Sequence, residues 1–449
     1  MSESKFLAGF GLANITPEDS VPMASYGDDL RRFSEGKFTE LEARALAITD
    51  PEGATLLMIT CDLSWCPSYL GCTVLERLTA ELGLPEKNII LSGAHSHASV
   101  SASHDHLPEI RRYHVKFING LVEAGKQAYA DRKPARFYIG SAITERMSFV
   151  RRYIMDDGSL CGDNAYGTGT AAVAHESQAD PELQILKVAR EGGKDILLFN
   201  FQGHPHLEGK TKMLSAQLPG WTRMEAERRW DVHAMYWNGG AGNLNSHSRI
   251  KPETRTRDPQ EWARIMMDYA ENAFPHLREA KVGPIRVEDT VYSARVNHFY
   301  DPYLDKAKEI QQYFRDGHTA KETAEFAHQL TGGGEMPRIN SYYHANRIIA
   351  NANAPAAKDV YLRAWSMGDI GAVVLPYEMF DTTCMYIKRN SPVRRTFITG
   401  YSYPSYCGYI PSAMGFQNGG YEADNCTFAP GTAEELADQF LELLEKSCQ

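Results

Sequence analysis

Short apolar runs that read as buried β-strands alternate along this chain with longer amphipathic patterns that are typical of helices. Residues 7–15, 54–62 and 195–201 are strand-like, whereas 68–82 and 109–130 carry apolar residues at three- and four-residue spacing. This alternation predicts an α/β fold, in which a large mixed β-sheet forms the core and helices flank it. The other predicted strands are 43–49, 88–93, 136–141, 184–188, 234–237, 360–367, 371–375 and 395–401.

The second half of the chain contains a segment, about 256 to 350, that is richer in charge and helical patterns. We interpret it as a helical insertion or cover with one strand pair around 285–296. Near the end, Thr432 and Glu435 precede an amphipathic pattern and predict a helix that begins with a capping box. Because no repeat or proline-rich linker interrupts the chain, we expect a single domain over 1–449.

The charge of the chain limits its partners. The formal net charge is −10, from 47 basic and 57 acidic residues, which argues against nucleic-acid binding and against docking on anionic lipid. No run approaches the roughly 18 apolar residues of a membrane span, so no integral membrane association is expected. The eight cysteines are scattered and no secretory signal is evident, which predicts a cytoplasmic protein with reduced thiols. The expected partner is a small-molecule substrate.

The segment Gly93-Ala-His-Ser-His97 follows an apolar run, 88–91. Two imidazoles two residues apart at a strand end point the same way, which suits a pair of metal ligands or a ligand with a proton carrier. A structural pair with satisfied hydrogen bonds is the alternative. His104 and His106 repeat the spacing, but no apolar strand precedes them, so their signal is weaker.

Three further polar clusters also follow strand-like runs. His204 and His206 lie in a Gly-His-Pro-His segment after 195–201, Glu378 follows 371–375, and Tyr409 follows 395–401. Alone, Glu378 could be a first-turn carboxylate facing a helix dipole, and Tyr409 an ordinary half-buried aromatic residue. Two histidines and a glutamate after apolar strands together fit a catalytic zinc ion with an open coordination position.

Taken in order, these motifs resemble the neutral (non-lysosomal) ceramidase family, in its bacterial single-domain form without the C-terminal domain. Leu91-Ser-Gly-Ala-His-Ser-His97 is similar to the family's Thr-His-Thr-His segment. The other segments that carry the resemblance are 8–17, 43–48, 61–62, 180–186, 409–422 and 428–434. The resemblance implies a ceramidase-like catalytic domain.

The resemblance also implies a ligand set for Zn²⁺. Carried over position by position, the zinc ligands are His95, His204, Glu378 and Tyr409. His97 then lies beside the metal as a hydrogen-bond or proton-transfer partner. Zinc lowers the pKa of its water to about 7 and polarises a carbonyl group.

Other residues are expected around the substrate. Arg151 matches a family arginine near the substrate, and Arg152 is the alternative if the register slips by one residue. An arginine can hold an oxyanion or a carboxylate. We assign Arg152, His206 and Tyr406 to substrate binding, and we expect Tyr406 to lie on an aromatic wall.

One position departs from the family. The ceramidases carry Gly-Asp-Val-Ser-Pro-Asn with a catalytic serine, whereas this chain has Asn238-Gly-Gly-Ala-Gly-Asn-Leu-Asn245, with Asn243 at the serine position. An asparagine side chain can donate a hydrogen bond to an oxyanion but cannot act as a nucleophile. We therefore expect Asn243 to contact the reacting oxygen, and ceramide itself is not the expected substrate.

The sequence thus predicts a zinc-dependent hydrolase that cleaves an amide or related bond of a small polar substrate. The first alternative is a zinc-dependent lyase or glycosidase that acts on an acidic sugar or oligosaccharide. The second is a metal- or ligand-binding protein without catalytic activity, an interpretation motivated by the missing serine.

Overall fold

The structure is a computed structural model that describes residues 5–26, 29–162, 169–250, 253–332, 338–404 and 408–449. Its largest element is a nine-stranded sheet. In chain order the strands are β1 (Leu7–Asn14), β2 (Glu42–Thr49), β3 (Thr55–Cys61), β4 (Ile89–Gly93), β5 (Lys133–Ile143), β6 (Glu182–Arg190), β7 (Asp195–Phe201), β8 (Val232–Asn238) and β9 (Arg278–Glu279).

The large sheet is mixed. Across the sheet the order is β8-β7-β6-β5-β1-β2-β3-β4, and β9 pairs with β5 outside this path. The pairs β7–β8 and β3–β4 are parallel, and the other pairs are antiparallel. All seven residues of β3 are buried, because both faces of the sheet are covered. The predicted α/β class with a mixed sheet is confirmed.

A second, four-stranded sheet packs against the first. It contains β10 (Arg286–Arg295), β11 (Ala357–Met367), β12 (Ile370–Val374) and β13 (Arg395–Thr399), in that order. The prediction of a strand pair around 285–296 was wrong. That segment is one long strand, and its partner β11 lies about 70 residues later in the chain, a pairing that no local pattern reveals.

The remaining secondary structure consists of helices and short strands. The helices are α1 (Ser68–Leu82), α2 (Pro108–Ala130), α3 (Gln217–Arg229), α4 (Pro259–Ala273), α5 (Leu304–Arg315), α6 (Ala320–Thr331), α7 (Tyr342–Ala352), α8 (Asp381–Asn390), α9 (Ala413–Gln417), α10 (Tyr421–Asp424) and α11 (Thr432–Ser447). Two- to four-residue strands lie at Gly36–Lys37, Phe149–Val150, Tyr153–Met155, Leu160–Cys161, Ala172–His175, Met213–Leu214, Leu244–Asn245, Glu378–Met379 and Tyr409–Ile410.

The main elements form four layers. Apolar side chains of the two sheets meet face to face, with Trp237 and Phe397 in edge-to-face contact, 6.1 Å between ring centroids. Helices α1 to α4 cover the outer face of the large sheet. Helices α8 and α11 cover the outer face of the second sheet. Four apolar cores therefore hold the sheet ends, where the polar motifs lie, in fixed positions.

Helices α5, α6 and α7 form a separate small cluster around buried residues such as Ile310 and Ile348. By contrast, α4 packs on α3 in the outer layer, although it lies in the segment interpreted as an insertion. Our expectation of a single domain stays a prediction. Among the described residues, no helix is long and apolar enough to cross a membrane.

The predicted capping box at the start of α11 was wrong. Gly431 precedes the helix with a left-handed φ of 93°, and no side chain caps the helix. The chain therefore enters the helix at Thr432, whose hydroxyl donates to the carbonyl of Ala429 at 2.8 Å instead. A glycine reaches this conformation without steric cost, so the turn forms without a side-chain cap.

Candidate metal centre

His95 lies just beyond the end of β4. Its φ is 66°, a left-handed value that is rare for a residue with a side chain and is found most often at functional sites. Its N–H donates to the carbonyl of Leu63 at 3.0 Å, and its ring stacks on Tyr401 at 3.8 Å between centroids. The histidine pair is therefore oriented by a turn and an aromatic contact, and not by strand alternation as the sequence predicts.

Three imidazoles converge at this point. The Nε2 atom of His97 lies 3.2 Å from Nε2 of His95 and 3.1 Å from Nε2 of His204. Within the described residues, these three histidines form the group whose ligand atoms could hold a metal ion. The resemblance assigned His95 and His204 to the metal and His97 to proton transfer, whereas the geometry makes His97 a third candidate ligand.

The outer nitrogens of two of these rings are fixed by backbone carbonyls. Nδ1 of His95 lies 3.0 Å from the carbonyl of Ser64, and Nδ1 of His204 lies 3.0 Å from the carbonyl of Ala241. A carbonyl only accepts, so each Nδ1 carries the hydrogen and each Nε2 presents a lone pair to the centre. Such a hydrogen bond from the outer ring nitrogen to a carbonyl is common for histidines that bind metal ions.

Burial keeps the imidazoles of His97 and His204 neutral. It lowers the pKa of His97 and His204 well below the usual value, and nearby cationic groups, Arg151 among them, lower it further. Burial and Arg151 also lower the pKa of His206 to about 3. A neutral imidazole is the form that binds a metal ion.

Glu378 completes a mixed nitrogen and oxygen donor set. Its Oε2 lies 3.3 Å from Nε2 of His95, and this buried oxygen has no hydrogen-bond partner. Nitrogen lone pairs and a carboxylate oxygen this close together repel one another unless a hydrogen or a metal cation lies between them. Histidine nitrogens with a carboxylate are a typical zinc set, so the residues present fit a zinc ion.

Glu378 reaches the centre from a short strand and not from the first turn of a helix, the alternative considered for it in the sequence. Residues Glu378–Met379 pair in parallel with Tyr409–Ile410, and α8 begins only at Asp381. The register places Tyr409 directly beside Glu378. Burial, followed by the Glu378 charge, raises the pKa of Tyr409 well above its usual value.

Arg151 is buried beside Tyr409. Its Nε donates to Glu422 at 2.8 Å and its Nη2 donates to the carbonyl of Gly242 at 2.8 Å. The guanidinium lies 5.5 Å from the centroid of the Tyr409 ring, within cation–π distance. Arg151 is therefore close to the centre, with part of its hydrogen-bonding capacity used by the protein.

Arg152 has a different environment. Its guanidinium makes two hydrogen bonds to Glu176, at 2.6 and 3.0 Å, and others to Glu422 and the carbonyl of Gly415, each at 3.1 Å. These bonds use four of its five N–H groups. The structure therefore gives Arg152 a role in joining loops, and its assignment to substrate binding stays a prediction.

The other predicted site residues differ in their positions relative to the centre. The His206 ring lies 5.4 Å from that of His97, and its Nδ1 is buried without a partner. Tyr406 lies outside the described residues. The side chain of Asn243 bonds to Asp381, donating to Oδ1 at 2.7 Å and accepting from the backbone N–H at 2.9 Å. The side-chain oxygen and nitrogen of Asn243 are therefore both hydrogen-bonded within the protein.

Several contacts of the centre were not predicted from the sequence. Tyr401 stacks on His95, and the edge of Tyr26 faces His97 at 5.3 Å between centroids. Gln217 accepts the His97 N–H at 2.7 Å. Glu422 lies in the Gly-Gly-Tyr-Glu segment that carries the family resemblance, and this segment was the available signal for its pairing with Arg151.

Comparison with known proteins gives consistent matches. The family model described as "Neutral/alkaline non-lysosomal ceramidase, N-terminal" matches residues 6–230 of this chain. Neutral ceramidases 1 and 2 of Arabidopsis thaliana are 23% identical over 212 residues and 28% identical over 194 residues, which is 44% and 40% of this chain. The matches span 26% and 24% of those proteins, about a quarter of their length.

Solved structures share the fold. Neutral ceramidase from Pseudomonas aeruginosa superposes with a TM-score of 0.72 at 17% identity, over 99% of this chain and 74% of that chain. A structure described as "Ceramidase complexed with C2" gives a TM-score of 0.73 at 16% identity, over 98% and 75% of the two chains. At this level of identity the superpositions establish the fold.

Proposed function

The chain belongs to the neutral/alkaline non-lysosomal ceramidase family, and on that basis we propose that it is a zinc-dependent hydrolase that cleaves the amide bond of an N-acyl substrate. The observation that carries this proposal is the convergence of the His95, His97 and His204 Nε2 atoms with the unpartnered Oε2 of Glu378. The family match gives no support to the lyase or glycosidase alternative.

The proposed ligands are His95, His204, Glu378 and Tyr409, the set that the family resemblance implies, although the geometry also brings His97 within reach of the ion. When bound, zinc supplies a water of lowered pKa and a Lewis acid for the amide carbonyl. The backbone carbonyls of Ser64 and Ala241 hold the two histidine rings in the tautomer that ligation needs. The protein therefore preorganises the nitrogen donors before the ion binds.

Amide hydrolysis also needs a proton for the departing amine. The Nδ1 of His97 is buried without a hydrogen-bond partner, and the ring lies against both proposed histidine ligands. We assign His97 to this proton transfer. Arg151, beside Tyr409, contributes positive charge that stabilises negative charge developing on the substrate oxygen.

The proposed substrate class is an N-acyl amine. Ceramide belongs to this class, and so do the small polar N-acyl compounds that the sequence predicts. Purified protein should be stripped with a chelator, reconstituted with zinc and assayed on a short-chain ceramide and on N-acyl amino acids. Release of free amine should require zinc on at least one of these substrates.

Metal analysis tests the site. We expect near-stoichiometric zinc in the purified protein and its loss in His204→Ala and in Glu378→Gln. His106→Ala is the matched control, because it removes the exposed histidine of the second His-x-His pair. Zinc content that is negligible in the wild type, or unchanged in His204→Ala, would contradict the proposal.

A further inference from the structure

The loop 241–243 contacts two proposed zinc ligands from opposite sides. The carbonyl of Ala241 accepts the Nδ1 hydrogen of His204 at 3.0 Å. The N–H of Gly242 donates to the carbonyl of Met379 at 3.0 Å, and a Cβ at this glycine would lie only 2.5 Å from the carbonyl oxygen of Glu378. The backbones are in close contact, so the position of this loop determines the separation of His204 and Glu378.

The next residue of the loop is fixed to the start of α8. Asn243 and Asp381 are 1% and 0% exposed. The Asn243 amide donates to Oδ1 of Asp381 at 2.7 Å and accepts the Asp381 backbone N–H at 2.9 Å. Two hydrogen bonds from one side chain define both distance and orientation between the two segments.

Asn243 also lines a cavity of about 420 Å³, together with Phe380 and Thr382. The described lining of this cavity includes none of the three converging histidines. The side chain therefore faces the segment that carries Glu378, and its hydrogen bonds connect that segment to the loop.

We propose that Asn243 is a positioning residue, an inference that rests on the proposed zinc site. Through its paired hydrogen bonds with Asp381, it holds loop 241–243 against residues 378–381 and sets the distance between His204 and Glu378. This role replaces the contact with the reacting oxygen that the sequence predicts. Outer-shell groups of this kind change metal affinity about 10- to 100-fold when they are removed.

The hydrogen bonds of this pair permit a sharp test. The second carboxylate oxygen of Asp381 accepts the N–H of Asp180 at 3.1 Å. Exchanging the two side chains, as Asn243→Asp with Asp381→Asn, leaves a donor or acceptor for all three bonds and keeps the charge of the pair. Asn243→Asp alone brings two carboxylates together, and Asn243→Ser replaces two hydrogen-bonding atoms with one.

The experiment compares zinc affinity, measured by competition with a fluorescent chelator, and the unfolding of the metal-free protein. We expect Asn243→Asp and Asn243→Ser each to weaken zinc binding about 10- to 100-fold. The exchange variant should recover the wild-type affinity to within about threefold, because the pair acts as a unit. At saturating zinc, Asn243→Ser should lower kcat while KM changes by less than about twofold.

Asn340→Asp is the matched control, since Asn340 donates to the carboxylate of Asp424 at 2.9 Å beside α7, and its zinc affinity should be unchanged. Single variants that lose stability without losing zinc affinity, or an exchange variant no better than Asn243→Asp, would overturn the inference. A wild-type protein that binds no zinc would instead contradict the proposed function.

Discussion

The Nε2 atoms of His97 and His204 lie 3.1 Å apart. Because the Nδ1 hydrogen of His204 is directed to the carbonyl of Ala241, its Nε2 is an acceptor. In the metal-free protein, His97 must therefore donate its own Nε2 hydrogen to His204 or to His95. Binding of a cation competes with that hydrogen, so proton and metal occupancy are coupled at this pair.

This coupling predicts the behaviour of His97→Ala. We expect kcat to fall about 10²- to 10⁴-fold through loss of the proton carrier. Zinc affinity should fall less than in His204→Ala, which removes a proposed ligand. Steady-state kinetics at saturating zinc, together with chelator competition, separate the two effects. A loss of zinc in His97→Ala equal to that in His204→Ala would show that His97 is a ligand.

A second prediction concerns Glu182 at the start of β6. Its carboxylate is partly buried, which opposes ionisation, yet Lys388 at 2.7 Å and Arg395 together lower its pKa to about 2. Because the pKa of Glu182 is lower in the folded protein than in the unfolded chain, the ionised carboxylate stabilises the fold. This stabilisation is fully present above the unfolded-state pKa near 4.5 and is lost as the pH falls toward 2. We expect this contribution to be about 3 kcal/mol at neutral pH.

Urea unfolding between pH 7 and pH 2.5 checks this prediction. Glu182→Gln should reduce the dependence of the unfolding free energy on pH in the acid range. Glu191→Gln is the control, because Glu191 makes an exposed ion pair with Lys5, for which a small effect is expected. Equal acid dependence in wild type and Glu182→Gln would refute the prediction.

The central strands were accessible from the sequence because they are short apolar runs with both faces covered. β7, for example, is buried in six of its seven residues and was predicted with its observed limits. The pairing of β10 with β11 was not accessible, since these strands are joined by about 60 residues that include three helices. Local patterns specify elements, whereas partners depend on the whole topology.

The candidate centre was accessible through residue types and order. His95, His204 and Glu378 follow apolar strands, and the structure brings them together. The roles of the surrounding residues could not be predicted, because they depend on contacts between residues that are far apart in the sequence. Asn243 and Asp381 are 138 residues apart in sequence. The left-handed turn at His95 was not predicted because no glycine stands at that position.

A third prediction concerns the buried ion pair between Asp62 and Arg223. Two hydrogen bonds of 2.8 and 2.6 Å join side chains that are 0% and 2% exposed. Asp62→Asn removes the carboxylate that makes both short hydrogen bonds to the buried guanidinium and leaves the Glu42 carboxylate at 3.7 Å, so we expect a loss of about 3 kcal/mol in unfolding free energy. Asp19→Asn, at the exposed pair with Arg112, should have a much smaller effect on the unfolding free energy. Chemical denaturation measures both, and similar losses would contradict this argument.

The stacking of Tyr401 on His95 gives a final prediction about metal affinity. The rings lie 3.8 Å apart with an interplanar angle of 15°, and this contact, with the Ser64 carbonyl, fixes the direction of the His95 Nε2 lone pair. Tyr401→Phe keeps the aromatic face, so zinc affinity should stay within about threefold of wild type. Tyr401→Ala frees the imidazole to rotate, and zinc binding should weaken about tenfold. Tyr386→Ala, at an exposed tyrosine, is the control in the same chelator competition, and equal affinities for Tyr401→Ala and the control would show that the stack does not orient His95.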